Sequence, residues 1–261
     1  MIIDHNISPP LVRWKTFDAI PGLIAAFSTR LDGVSPAPYE SLNLGLATDD
    51  NPVRLAENRQ IFLGAAGIDP TRLVWAKQEH TTTVLTPDTP GAQGSCDALL
   101  TQGNRWALAA TFADCLPLLL VEPESQTLCM VHAGWRGTAA GIARYAVEAM
   151  QDKYQITPEK ILAVIGPHIL PCCFEVGTNV AEQFPDDCQP GRDAAHWQVD
   201  LAGANTRLLK NAGVLPEHIN AQALCTSCES HYFFSHRRDG FPSGRHMAVL
   251  AWHNTELDTQ L

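Results

Sequence analysis

Apolar and polar positions follow two regimes along the chain. Short, nearly continuous apolar runs recur at Leu23–Phe27, Leu73–Ala76, Trp106–Phe112, Leu116–Val121, Leu128–His132, Ile161–Ile165, Ala221–Leu224, Tyr232–Phe234 and Met247–Trp252. Runs this short, several lacking a polar face, predict strands covered on both sides. Between them, at least three stretches repeat apolar residues every three or four positions, the period of one helix face. Asn51 and Pro52 open the first as N-cap and first-turn proline; Val53, Ala56, Phe62, Leu63 and Ala66 form its stripe and Gly67 ends it. Thr138 opens the second, carrying Ala139, Ile142, Ala143, Ala146, Val147 and Met150. Asp200 opens the third, with Leu201, Ala204, Leu208, Leu209 and Ala212 inside and Gly213 closing it. Many strands with a few interspersed helices predict an α/β fold, a single mixed-sheet domain over residues 1–261. Residues 1–20 form an N-terminal extension or a first strand. There is no internal repeat, low-complexity tract or compositional break to divide the chain.

Composition narrows the class. The 261 residues are 45% hydrophobic and only 18% charged, where a soluble chain typically carries about 25% charged residues. That much apolar material excludes disorder as the main state. The longest apolar run, Leu116–Val121, is far below the roughly 20 residues a helix needs to cross a bilayer, so no membrane partner is expected. Lys and Arg total 18 against 28 Asp and Glu, a net charge of -10. That field repels a nucleic-acid backbone at long range but leaves room for a small phosphorylated substrate at a local cluster of donors. The opening Met1-Ile2-Ile3-Asp4-His5 lacks the charge and length of an export signal, so the expected address is cytoplasmic.

The most informative stretch joins two apolar runs through the polar turn Pro123–Gln126. If Glu122 faces Thr127, the register sets Pro117 opposite His132, with Cys115 two residues further along on the same face. The hairpin then gathers a thiol and an imidazole at one end of the sheet. A one-residue slip would turn one of them to the other face. Alone, Cys115 reads as a small core residue and His132 as hydrogen-bonded scaffold; paired, they stand equally as a ligand pair. His80, at the end of the run from Leu73, is a third candidate. Two imidazoles and a thiolate suit Zn²⁺, and three ligands with one open position is the pattern of a catalytic site. After His132, the small residues Ala133 and Gly134 lead through Trp135-Arg136-Gly137 into a helix. Such a turn can hold an anion, or simply make a tight strand-to-helix connection. No P-loop or dinucleotide fingerprint occurs.

Eight cysteines, Cys96, Cys115, Cys129, Cys172, Cys173, Cys188, Cys225 and Cys228, accompany no export signal. Reduced and mostly buried thiols are expected, with one or more as metal ligands. Cys225-Thr226-Ser227-Cys228 is a lone CxxC with His231 close behind. It is half a zinc site or a redox pair on its face, but no second CxxC completes it, and two structural thiols are the favoured reading.

Several further blocks carry a resemblance. Ser28-Thr29-Arg30, Ser41-Leu42-Asn43-Leu44-Gly45, Glu57-Asn58-Arg59, Asp97-Ala98-Leu99, Ala113-Asp114-Cys115-Leu116-Pro117, Val131-His132-Ala133-Gly134-Trp135-Arg136-Gly137, Pro171-Cys172-Cys173-Phe174-Glu175-Val176 and Phe233-Phe234-Ser235-His236-Arg237-Arg238-Asp239 stand in this order. Together they resemble the YfiH-like laccase-domain family, also called the polyphenol oxidase or purine nucleoside phosphorylase family. The resemblance covers nearly the whole chain from about Phe27. It implies a single α/β domain whose metal is held by His80, Cys115 and His132, the same trio the hairpin suggests. It also implies zinc-dependent phosphorolysis of purine nucleosides, methylthioadenosine included, and adenosine deamination. Other members edit peptidoglycan precursors by hydrolysis, and some have been called copper-dependent laccases.

The expected partners are a nucleoside and phosphate, and the expected assembly is a monomer or small homo-oligomer. Arg30, Arg59, Arg136, Arg237 and Arg238 form the pool of phosphate donors, and Asn43, Arg59 and Arg136 are the substrate- and phosphate-binding assignments. Cys115 is expected as a metal-bound thiolate, not a covalent nucleophile. The chain departs from the family pattern at Glu79-His80-Thr81, usually Val-His-Gly, and at His236, usually Tyr. Glu79 beside a ligand suggests a local electrostatic effect, although a solvated Glu79 is favoured. A blue-copper centre could draw on Met130 as axial ligand, but the His-x-His pairs of a trinuclear copper cluster are absent from these ten histidines. A binding protein with a purely structural metal is the reading from a different class.

Overall fold

A computed structural model describes residues 1–193 and 195–254. The fold is mixed α/β as expected, and its strands divide among three sheets. The first runs β1 (Ile2–Asp4), β2 (Leu11–Arg13), β3 (Leu23–Ser28), β16 (His246–Trp252), β8 (Ala107–Phe112), β4 (Leu73–Lys77), β6 (Gly91–Ser95). The second runs β15 (Ile219–Asn220), β11 (Leu162–Ile165), β9 (Leu116–Glu122), β10 (Thr127–Ala133), β7 (Ala98–Gln102), β5 (Val84–Leu85). A small third sheet runs β12 (Glu175–Gly177), β14 (His196–Val199), β13 (Cys188–Pro190). The helices are α1 (Lys15–Asp18), α2 (Pro52–Ala66), α3 (Trp135–Ala139), α4 (Ile142–Tyr154), α5 (Thr178–Ala181), α6 (Leu201–Asn211) and α7 (His236–Asp239). None of them is long and apolar enough to cross a membrane.

Alternation along each strand explains the layers. On β16, Ala248, Leu250 and Trp252 join Leu119 and Val121 of β9 and Leu128 and Met130 of β10 in a core between the two large sheets. Met247, Val249 and Ala251 point the other way, onto Phe62 and Leu63 of α2. On β10, Cys129, Val131 and Ala133 face Ala143, Ala146, Val147 and Met150 of α4. The two large sheets are therefore stacked face to face with helices on both outer sides. Both faces of the central strands are covered, which is why they read as unbroken apolar runs.

The N-terminal twenty residues carry β1 and β2, which extend the first sheet beyond β3, and α1. The caps of α2 and α6 are as expected: Asn51 accepts from the Val53 N–H, Gly67 is left-handed at φ 69°, and Asp200 accepts from the Gly203 N–H. Thr138 does not open a helix. It lies inside α3, and Gly141, left-handed at φ 88°, separates α3 from α4. Two expected strands are not strands. The first, Ala221–Leu224, joins no ladder; the short β15 that pairs with β11 ends just before it, at Asn220. In the second, Phe233 and Phe234 are buried, but their segment bonds outside any ladder; Tyr232 O accepts from Arg30 N–H and the Phe234 N–H donates to His246 Nε2.

Candidate metal centre

The hairpin forms in the expected register, with Thr127 opposite Glu122 and His132 opposite Pro117. Cys115 lies one residue before the first paired residue of β9 and belongs to Ala113–Cys115, the three-residue crossing from β8 of the first sheet to β9 of the second. His132 projects from β10 on its intersheet side, 5.5 Å between ring centroids from Phe112 of β8. His80 follows β4 by three residues and is held in the left-handed region at φ 59°. The centre thus sits where the two large sheets meet at one end and the chain passes between them. One ligand atom from each of His80, Cys115 and His132 lies within 4.8 Å of the others.

A carboxylate orients both histidines. Asp97, just ahead of β7, accepts from His132 Nδ1 at 2.7 Å, which leaves Nε2 to face the centre. Its second oxygen accepts from the backbone N–H groups of Glu79 and Thr81, on either side of His80, at 3.2 and 2.6 Å, and from the Thr81 hydroxyl at 3.0 Å. This is the carboxylate–histidine support that metal ligands characteristically have. In the sequence Asp97 stands only as part of the Asp97-Ala98-Leu99 block, and its one legible signal is a lone acid heading the apolar run of β7.

Burial, followed by the nearby charge of His132, holds the His80 imidazole below its ordinary pKa and so in the neutral form a metal requires. Burial also opposes charging of His132, but Cys115 and the bond to Asp97 outweigh it and raise that imidazole to about 9. A metal bound at Nε2 would take the place of that proton. Gly134 closes the floor. A Cβ there would lie 2.5 Å from His80 Nδ1 and 3.1 Å from Cys115 Sγ, so only glycine leaves room for the trio. The donor set is soft-borderline and three in number, which fits zinc with an open fourth position.

That open side gives onto a cavity of about 570 Å³ bounded by His80, Cys115, Trp135, Arg136, Phe174 and Arg237, among others. A second recess of about 320 Å³ lies against the trio and is lined also by Gln78, Arg245 and His236. His236 borders both. Of the expected phosphate contacts, Arg136 reaches the main cavity, its guanidinium 4.2 Å from the Trp135 ring centroid. Asn43 and Arg59 are not among the residues lining either cavity. Asn43 is fully buried; its amide donates to Thr48 and Asp50, and its oxygen accepts from Gly45 and Arg245 N–H. Arg59 donates to Gly45 O. Arg30 and Arg238 are engaged with backbone carbonyls, among them Glu40 O and Thr226 O. Arg237 donates to Cys173 O and Glu175 O while bordering the cavity. Glu79 is exposed and pairs with Lys77 at 2.5 Å.

Residues 24–253 match the sequence family described as multi-copper polyphenol oxidoreductase laccase. The chain belongs to this family. Among its relatives, the purine nucleoside phosphorylase YfiH of Shigella flexneri is 40% identical over 237 residues, covering 88% of this chain and 94% of that protein. The purine nucleoside phosphorylase YlmD of Geobacillus stearothermophilus is 35% identical over 88% of this chain and 90% of its own length. The crystal structure of YlmD from Geobacillus stearothermophilus superposes with a TM-score of 0.83 at 32% identity, covering 90% of this chain and 93% of that one. These laccase-domain relatives span nearly the same length, so the centre described here lies wholly within the shared region.

Proposed function

We propose that this chain is a zinc-dependent purine nucleoside phosphorylase that also cleaves methylthioadenosine phosphorolytically and deaminates adenosine. The observation that carries the reading is the trio His80, Cys115 and His132, opening on one side to a cavity with both aromatic and cationic walls. Relatives at 35–40% identity over most of the chain bear the phosphorylase name.

Bound by the trio, zinc supplies a Lewis acid for a substrate oxygen. The remaining work falls to the chain itself. Trp135 and Phe174 offer flat apolar faces for a purine, and Arg136 and Arg237 offer cationic donors for phosphate. In phosphorolysis a phosphate oxygen bonds to the sugar C1′ as the C1′–N9 bond breaks, and the departing purine takes up a proton. His236, at the rim of both cavities, is placed to deliver it. In deamination, water replaces the amino group at C6 and ammonia leaves. Asp97 holds the two histidines in place throughout.

A copper oxidase reading draws on the family description, and the local chemistry opposes it. Met130, the one methionine near His132 in sequence, is 1% exposed in the core between the sheets and lines neither cavity. Among the described residues, the other cluster of metal-binding type is all cysteine, with no imidazole for a trinuclear copper site.

The test is release of hypoxanthine from inosine and adenine from methylthioadenosine by purified, zinc-loaded protein, with and without phosphate. Ammonia from adenosine is followed in parallel, and Cys115→Ala serves as the control. Phosphate-dependent base release that Cys115→Ala abolishes is the expected result. Release of neither base nor ammonia overturns the reading.

A further inference from the structure

Cys172, Cys173, Cys225 and Cys228 come together on the surface beside the main cavity. Their sulfurs all lie within 4.8 Å of one another. Four of the six separations are 3.9 Å for Cys172–Cys173, 3.7 Å for Cys172–Cys225, 3.6 Å for Cys172–Cys228 and 3.4 Å for Cys173–Cys228. From these distances we infer that the four thiolates form a second metal site, a closed tetrahedral one for a single divalent ion of the zinc type.

The spacing discriminates among the things four cysteines can do. Four sulfurs at the corners of a tetrahedron, each about 2.3 Å from a central zinc, are about 3.8 Å apart. A disulfide requires about 2.05 Å, and none of these pairs approaches it. A polynuclear iron–sulfur cluster spreads its cysteines over several iron atoms, wider than a set confined within 4.8 Å. A soft, all-sulfur, tetrahedral set is the donor chemistry of a structural zinc. The lone CxxC finds its missing half in the adjacent pair Cys172–Cys173, which no spacing rule pairs with it.

The backbone holds the four in this arrangement. His168 and Cys225 form an isolated parallel bridge. Within it, the His168 N–H donates to Leu224 O and the Thr226 N–H to His168 O. The Leu170 N–H points at Cys225 Sγ at 3.5 Å, the kind of second contact that orients a ligating thiolate. Cys225 is buried, Cys173 half-buried, and Cys172 and Cys228 exposed, so the site is anchored inside and open to an arriving ion.

Both clasped segments build the neighbouring cavity. Phe174, Glu175, Val176 and Gly177, directly after Cys173, line it. Thr226, directly after Cys225, donates to Asp114 at 2.6 Å, next to Cys115. The ion's role is to fix that wall, and the claim holds whatever reaction the His80–Cys115–His132 centre performs.

The test is metal content per chain of protein purified under reducing conditions. Wild type is expected to hold two zinc ions, and Cys115→Ala and Cys228→Ser one each. Cys115→Ala combined with Cys228→Ser should hold none. Cobalt-substituted Cys115→Ala should show intense thiolate-to-cobalt charge-transfer absorption that the double variant lacks. A Cys228→Ser chain that keeps two ions, or a Cys115→Ala chain that keeps none, overturns the proposal. If Cys228→Ser does not fold, thiol counting on native wild type decides. Cys172 and Cys228 should resist a thiol reagent until a chelator is added, and their free reaction beforehand, or a mass lowered by two hydrogens per bridge, overturns it.

Discussion

Asp97 bonds through one carboxylate oxygen to the His132 ring, at 2.7 Å, and through the other to the backbone on both sides of His80. One side chain therefore sets the direction of two candidate ligands that arrive from different sheets. Its carboxyl is held down to about 2; burial pushes the other way, but the bonds from His132 and the Thr81 backbone outweigh it, so it stays charged.

Asp97→Asn is expected to leave the chain folded while loosening the His80–Cys115–His132 metal. An amide still accepts one bond but loses the charge, and its NH₂ would oppose the Glu79 and Thr81 N–H donors. Removal of such a partner typically costs about 10–100-fold in metal affinity or activity. Competition with a calibrated chelator measures it. An affinity equal to wild type would mean that His132 and His80 are oriented by packing alone.

Gly134→Ala tests the floor of the centre. The backbone at φ -70° and ψ 169° accepts alanine, so the objection comes from the ligands, with the new Cβ 2.5 Å from His80 Nδ1 and 3.1 Å from Cys115 Sγ. Metal affinity and kcat/KM should both fall by roughly tenfold or more, on the scale of lost ligand support. Melting of the metal-free chain should shift by no more than ~2–4 °C, since alanine for glycine at an N-cap costs well under 2 kcal/mol. Isothermal titration with zinc and a melting curve in chelator separate the two effects, and unchanged zinc affinity would show that His80 has another place to go.

The hairpin is legible because its turn is polar and its strands are apolar on both faces; its register rests on the condition that Glu122 faces Thr127, which the structure meets. Cys115 reads as part of the strand yet lies one residue outside it, since a crossing between sheets leaves no periodic mark. The division into two stacked sheets was not legible for a related reason. Central strands such as Leu116–Glu122 and His246–Trp252 are apolar throughout and look alike whichever sheet they join. Asn43 stands in a motif that suggests substrate binding, yet its side chain ties Gly45, Thr48, Asp50 and Arg245 together. The four-cysteine cluster leaves no mark in the sequence because its halves sit in separate loops brought together by tertiary contacts around His168.

His168 and His246 are expected to make the fold acid-sensitive, independently of the His80–Cys115–His132 trio. Both are fully buried. Burial lowers the His168 imidazole to about 4 and His246 to about 3. His168 donates from Nδ1 to Gly166 O, and its Nε2 has no partner among the described residues to receive a second proton's bond. His246 Nε2 already accepts the Phe234 N–H at 2.8 Å, so a proton there would face another donor. An unfolded histidine titrates near ~6.5. Between that value and about 4, the unfolded chain binds protons that the folded chain refuses. The stabilisation is therefore complete above ~6.5 and is lost as pH falls towards the folded values. Near pH 5, unfolding should take up about two protons at these sites. Urea unfolding at a series of pH values from 7 to 5, in chelator so that metal release does not contribute, reads this as a falling midpoint. His168→Asn combined with His246→Gln, the glutamine keeping an acceptor for Phe234, should flatten the slope; an unchanged slope would place the acid sensitivity in other groups.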